Sequence, residues 1–301
     1  MHPLMRPRVH PLMRSFMQPL IRPLMHPVTR RFADSPFVRA VVILAALATS
    51  GVAQAAGAMC TAHSPAHRVA LVELYSSEGC NSCPPADHWL GQWKDSGAAQ
   101  GIVPLALHVD YWNSLGWTDR FSQHRFTERQ QTLTDLAGGH TIYTPEIFVS
   151  GRELRGWSQP ASFDERIHKV TAEPAQVDVA LELVPSAQGT SGFGVDARFT
   201  SKASIHDPLN AYVAVYENAL TSQVRAGENN GATLHHERVV RQWIGPVPLA
   251  EGSAQIRREI ALDPADAADS HAQAGKFGVV AFVENAATGE VLQVAELATC
   301  H

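Results

Sequence analysis

Two cysteines separated by two residues, Cys80-Asn81-Ser82-Cys83, constrain this chain more than any other feature. They follow an apolar run from Val69 to Tyr75 and precede Pro84-Pro85. Proline suits the first turn of a helix, where its missing N–H would have no partner anyway. A strand that delivers thiols to a helix start offers one of them free N–H groups and partial positive charge, which stabilise a thiolate. Cys80 is therefore the expected nucleophile and Cys83, one turn on, the resolving thiol. Glu78 opposes this, because a nearby carboxylate disfavours a thiolate, so the net direction stays open at this point.

The flanking pattern predicts a buried strand over 68–75, a helix over 84–96 and a second strand over 102–109, the length of a parallel crossover. An aromatic loop follows at 111–118, then a helix within 119–137, an antiparallel pair at 146–149 and 152–157, and a helix over 163–170. This order predicts an α/β, thioredoxin-like domain over residues 65–173. Pro145, directly before a strand, suits a cis bond facing the cysteines, with Thr144 presenting its backbone to an extended thiol substrate. His108 and Asp110, two residues apart at a strand end, are expected on one side near the cysteines, where either can handle protons during exchange. The alternative is a capped strand end. Past Pro174, stretches at 177–184, 194–199, 211–216, 255–260 and 277–283 alternate at period two, which predicts a mostly antiparallel β-sandwich over 175–300.

Residues 1–55 read as a signal peptide behind a low-complexity basic prelude of HPLMR-like units. The apolar segment Ala40 to Ala48 is short of the ~20 residues a membrane-spanning helix needs, and Ala53-Gln54-Ala55 suits cleavage. Removing this leader takes away seven Arg and one Asp of the chain's 24 basic and 29 acidic residues, which leaves a formal charge of −11. Such a protein has no electrostatic reason to bind nucleic acid, and no membrane span is expected after cleavage. A periplasmic or secreted location lets disulfides persist. Cys60 and Cys300, near the two mature ends, are the expected structural disulfide, worth about 4–5 kcal/mol on the chain-entropy picture. The alternative is two free thiols.

The stretch Glu73 to Asp87, with His108 to Trp112, Leu115-Gly116-Trp117, Arg129-Gln130, Tyr143-Thr144-Pro145, Arg225 to Asn229 and Val239-Val240-Arg241, resembles domain-of-unknown-function family 1223, a family of secreted bacterial proteins. The resemblance spans residues 65–300. It implies a thioredoxin-like domain fused to a β-rich tail, and no substrate.

Three functions compete at this point. One is an exported thiol–disulfide oxidoreductase acting on a protein or small-molecule thiol, without a cofactor. A second is copper handling by Cys80, Cys83 and His108, since thiolates and imidazole suit copper. Against it, Met59 is the only methionine after the leader. A third is a static Cys80–Cys83 crosslink with a partner-binding β region. His235-His236 is expected on a solvent-facing hairpin, because adjacent strand residues point to opposite faces.

Overall fold

The apolar run before the cysteines is a strand buried on both faces. Successive side chains of a strand alternate between faces, so a stretch with few polar residues has to be covered twice. In the computed structural model, which describes residues 60–186, 192–202, 205, 207–262 and 276–299, that strand is β2 (Ala70–Ser76), preceded by β1 (Cys60–His63). Leu71 and Tyr75 pack on one side with Phe126, Leu133 and Phe148. Ala70, Val72 and Leu74 pack on the other with Ala86, Leu90 and Phe163.

From β2 the chain runs through α1 (Pro84–Gly91) to β3 (Ile102–His108), which lies parallel to β2. Next come α2 (His124–Leu136), β4 (Glu146–Val149), β5 (Arg152–Glu153) and α3 (Pro160–Thr171). Helix α2 starts later than its polar sequence predicts. The Asp119 carboxylate accepts hydrogen bonds from the N–H groups of Phe121 (2.8 Å) and Glu78 (2.9 Å), so 119–123 is a turn committed to the site.

Strands follow for the rest of the chain: β6 (Val177–Pro185), β7 (Gly192–Ser201), β8 (Leu209–Glu217), β9 (Leu220–Gln223), β10 (Thr233–His236), β11 (Val239–Pro248), β12 (Ser253–Ala261), β13 (Phe277–Asn285) and β14 (Val291–Ala298). They do not form a separate layer behind the first part. One eight-stranded sheet runs β14-β13-β8-β11-β3-β2-β4-β5, because β11 lies parallel to β3 and the Ala106 N–H donates to the Arg238 carbonyl at 2.9 Å. A four-stranded antiparallel sheet, β1-β6-β7-β12, packs over its far half through Val179, Phe199, Val213, Ile256 and Val279.

The expected fold class, a thioredoxin-like α/β domain followed by a β-sandwich, is therefore corrected. Among the described residues fourteen strands stand against three α-helices, and one sheet passes through both halves of the sequence. The physical reason is the edge of β3. Its unpaired N–H and C=O groups are an open template, and β11, which carries Arg241, Gln242 and two prolines and escapes a period-two pattern search, fills it.

Side chains reinforce the joint. Arg129 on α2 pairs with Glu73 of β2 (Nε–Oε1 2.7 Å) and Glu284 of β13 (Nη2–Oε2 2.8 Å). Arg68, also buried, pairs with Glu173 and Glu290. The predicted leader lies outside the described residues, as does Cys300. Cys60 is disulfide-bonded.

Candidate functional site: a covered disulfide above a buried histidine–carboxylate cluster

Cys80 and Cys83 form a disulfide, with Cα atoms 5.5 Å apart, where β2 hands over to α1. Cys83 is the residue that caps the helix, followed by Pro84 and Pro85 in its first turn. These prolines remove two of the N–H groups that a helix start usually offers, and the Asn81 N–H is taken by the Glu228 carboxylate at 3.1 Å. The electrostatic help for a Cys80 thiolate is thus smaller than the sequence pattern suggests. Ser82 Oγ lies 3.2 Å from Cys80 Sγ, and the Thr144 carbonyl oxygen 3.8 Å from it. Thr144 precedes a cis peptide bond to Pro145, and its hydroxyl accepts a hydrogen bond from Trp112 Nε1 at 2.8 Å.

The cysteines that the sequence offers as nucleophile and resolving thiol are covered: Cys80 and Cys83 are both 0% exposed. The segment between β9 and β10 lies against them. Asn229 Nδ2 donates to the carbonyls of both Glu78 and Cys80, each at 2.9 Å, while Glu228 holds Asn81. Asn81 and Ser82, between the two cysteines, remain exposed.

Behind the disulfide sits a cluster of ionisable side chains. His108, at the end of β3, shares a 2.6 Å hydrogen bond between its Nδ1 and the Asp119 carboxylate. Asp110 faces elsewhere, accepting from Thr127 at 2.6 Å and meeting His124 at 3.0 Å. His108 and Asp110 therefore have separate partners. His236 of β10 is buried, while His235 is exposed and meets Thr221. The His236 ring stands nearly perpendicular to His108 (centres 5.0 Å apart), with Nε2 3.5 Å from Glu78 Oε1 and Nδ1 3.6 Å from Asp87 Oδ2. These contacts are ion-pair distances, too long for good hydrogen bonds. Burial pushes the His236 pKa down, but the Asp87 and Glu78 carboxylates reverse this and hold it up at about 9. For Glu78, burial pushes the carboxyl up, and contacts with His236, Ser222 and Trp117 outweigh it, leaving the pKa lowered. Burial likewise opposes ionisation of Asp119, whose pKa is lowered by His108 and by the N–H groups of Glu78 and Phe121.

Sequence reasoning passed over Asp87, Asp119 and the inward side of His236. The signal for the last was present: Leu234 and His236 share a strand face, and Leu234 is apolar and buried. Copper handling would need Cys80 and Cys83 as thiolates beside His108. They are joined to each other instead, and the groups gathered with His108 are Asp87 and His236. Arg129 and Gln130 pair with neither Asp110 nor Glu78. Gln130 Nε2 donates to Glu146 (2.6 Å) and to the Tyr143 carbonyl (2.7 Å).

Fold and site together define a mostly β protein with a Cys-x-x-Cys disulfide covered by a hairpin tip. The chain belongs to the family described as protein of unknown function (DUF1223), whose sequence profile matches residues 71–284. Among solved structures it is similar to protein AGR_C_4864 from Agrobacterium tumefaciens, at 23% identity and a TM-score of 0.54, over 77% of this chain and 95% of that one. It is also similar to HBP35 of Porphyromonas gingivalis, at 18% identity and a TM-score of 0.56, over 78% and 76% of the two chains. At those identities the likeness concerns the fold alone. No curated protein matches the sequence.

Proposed function

We propose that Cys80 and Cys83 exchange disulfides with a protein or small-molecule thiol outside the cytosol, periplasmic or secreted, and that the 225–231 segment moves aside to admit it. The observation that carries this reading is the disulfide itself, formed across a two-residue spacing at a helix start with the Thr144 carbonyl beside Cys80. A client thiolate attacks Cys80 Sγ, the Cys80–Cys83 bond breaks, and Cys83 leaves as a thiolate that takes up a proton. A second client thiolate then attacks the client sulfur of the mixed disulfide and releases Cys80. Two electrons have passed from client to pair, and the client holds the new disulfide. The reverse sequence reduces a client disulfide. Thr144 offers a carbonyl to an extended client backbone.

A second reading, a static crosslink, is favoured by one observation: both sulfurs are fully buried. Alkylation after graded reduction separates the two. The exchange reading expects the 80–83 bridge of the folded protein to open under mild dithiol, and Cys83→Ala to accumulate a mixed disulfide at Cys80. A bridge that survives strong reductant until the protein unfolds, with no mixed disulfide trapped, leaves only the static reading.

A further inference from the structure

We infer that Asp87, His108 and His236 form a binding site for one divalent transition-metal ion. The inference is independent of whether the disulfide is redox-active. One ligand atom from each of the three lies within 4.8 Å of the others, and all three residues are buried. They come from three separate elements, α1, β3 and β10, so the fold assembles the site.

The observation that points to a ligand is the state of the imidazoles. His108 is 0% exposed and its Nδ1 is bound to Asp119, yet its Nε2 has no hydrogen-bond partner among the described residues. A buried polar atom left unpaired is costly and uncommon. The two His236 nitrogens make no hydrogen bond either, each standing instead at ion-pair distance from a carboxylate. With Asp119 accepting the Nδ1 proton, the His108 Nε2 lone pair is directed into the cluster. This is how metal-ligating histidines are set up, with a carboxylate on the far nitrogen. His236 repeats the arrangement: Nδ1 faces Asp87, while Nε2 faces Glu78 Oε1, an oxygen with no hydrogen bond among the described residues. The order is carboxylate, imidazole, ion, imidazole, carboxylate, with Asp87 as the third ligand.

Geometry and charge agree. Two imidazoles bound to one tetrahedral ion through bonds of about 2.0–2.1 Å place their ring centres about 5 Å apart, and the observed separation is 5.0 Å. Glu78, Asp87 and Asp119 supply three carboxylates against two imidazoles, so the buried cluster stays negative even with both rings charged. A dication held by neutral imidazoles offsets two of the three carboxylate charges, as two charged rings would. Two nitrogens and one carboxylate oxygen suit zinc and neighbouring first-row ions over calcium or magnesium. Asp87 is held in place by a 2.9 Å hydrogen bond from Ser76 Oγ.

The test uses the full chain, stripped with chelator and dialysed against Zn(II) or Co(II). The expected result is one ion per chain, with a Co(II) absorption spectrum free of thiolate bands, unchanged in the Cys80→Ser/Cys83→Ser variant. Asp87→Asn, which retains the Ser76 contact, and His236→Gln each remove stoichiometric binding while circular dichroism reports the fold. Asp119→Asn, which touches no ion, weakens affinity roughly 10–100-fold. Failure of the wild type to take up one ion overturns the inference. So does uptake that follows the cysteines, or uptake that survives both ligand substitutions.

Discussion

Replacing Arg129 with leucine tests the continuous sheet more directly than any change at the site. The guanidinium is nearly buried, and Glu73 and Glu284, at 0% and 7% side-chain exposure, have it as their shared cation. It makes a two-pronged contact with Glu73 (2.7 and 3.2 Å), reaches Glu284 at 2.8 Å, and lies over the rings of Trp243, Tyr212 and Phe282 at 5.0–5.5 Å. Burial disfavours its charge, but Glu73 and then Glu284 outweigh that and hold its pKa well above normal. Removing one partner of a buried ion pair costs about 3–5 kcal/mol, because the other partner stays buried and uncompensated. Here two carboxylates are stranded. Glu284, whose pKa burial already raises, can shed part of the cost by protonating. We expect Arg129→Leu to lose about 4 kcal/mol at pH 8 and less at pH 5. At about 2–4 °C per kcal/mol for a chain of this size, Tm falls by roughly 8–16 °C. Urea unfolding followed by tryptophan fluorescence and far-ultraviolet circular dichroism measures this. Adding Glu73→Gln and Glu284→Gln to Arg129→Leu should recover at least half the loss. A loss below about 1 kcal/mol, or two separated transitions in the wild type, refutes the reasoning that α2, β2 and β13 share one cooperative core.

Gly151→Ala should cost more than about 2 kcal/mol, since Gly151 has φ +79° and an added Cβ would overlap the Gly289 carbonyl oxygen and sit 3.2 Å from Glu290 Cα. Urea midpoints check it, and a change within 0.5 kcal/mol of wild type, the usual range for neutral surface substitutions, contradicts the close approach of the two turns. Burial raises the pKa of Glu146 from 4.5 to about 7 against the opposing Gln130 bond. The folded state thus holds this proton more tightly than the unfolded state. Its contribution is intact below pH 4.5 and declines as pH climbs to about 7, by roughly 2–3 kcal/mol. Glu146→Gln should flatten that decline, and stability curves at pH 5 and pH 8 that stay parallel to wild type would sink the assignment. Asn229→Ala removes two hydrogen bonds of about 1 kcal/mol each, which makes opening over Cys80 easier by roughly 2 kcal/mol and reduction by dithiol about 30-fold faster. An unchanged rate means that the hairpin tip does not limit access.

Much of the first half was legible because its elements obey strong local rules. β2 and β3 are apolar but for Glu73, Ser76 and His108, α1 opens on Pro84, α3 on Pro160, and Val149-Ser150-Gly151 turns β4 into β5. The period-two stretches β6, β7, β8, β12 and β13 were legible for the same reason. What escaped depends on long-range pairing. β11 has irregular register against β8 at Val240/Gln242 and Ile244/Val247, so its side chains keep no clean alternation. The sheet's continuity rests on that strand. At the site, the cysteines and Thr144 announce themselves locally. Asp87, Asp119 and His236 carry no local signal of joint purpose, since the first and last lie 149 positions apart in the sequence. The burial of Cys80 was hidden for a related reason: what covers it, Glu228 and Asn229, lies in the other half of the sequence.

One hairpin performs two tasks, and its backbone explains how both are compatible. The β9–β10 pairing sets Thr233 opposite Gln223 and His236 opposite Leu220, which fixes His236 at the base of the hairpin over the end of β3. The tip, 225–231, reaches in the other direction to hold the backbone at Glu78, Cys80 and Asn81. Between tip and base, the Gly231 N–H donates to the Val224 carbonyl and the Val224 N–H to Ala232, each at 2.9 Å. Gly227 and Gly231 have φ of +72° and +86°; an added Cβ at Gly231 would meet nothing within 4 Å, whereas one at Gly227 would stand 3.3 Å from Trp117 Cβ, so the tip rests on the 115–117 loop at Gly227 and is open at Gly231. Its side chains Glu228 and Asn229 make three hydrogen bonds to the backbone of Glu78, Cys80 and Asn81, whereas His236 is held by a strand ladder, an aromatic contact to Phe121 and two carboxylates. Under the proposed exchange, displacing the tip uncovers Cys80 while the β9–β10 ladder keeps His236 over the end of β3, and Glu78 loses the Asn229 bond to its carbonyl but keeps its carboxylate facing His236.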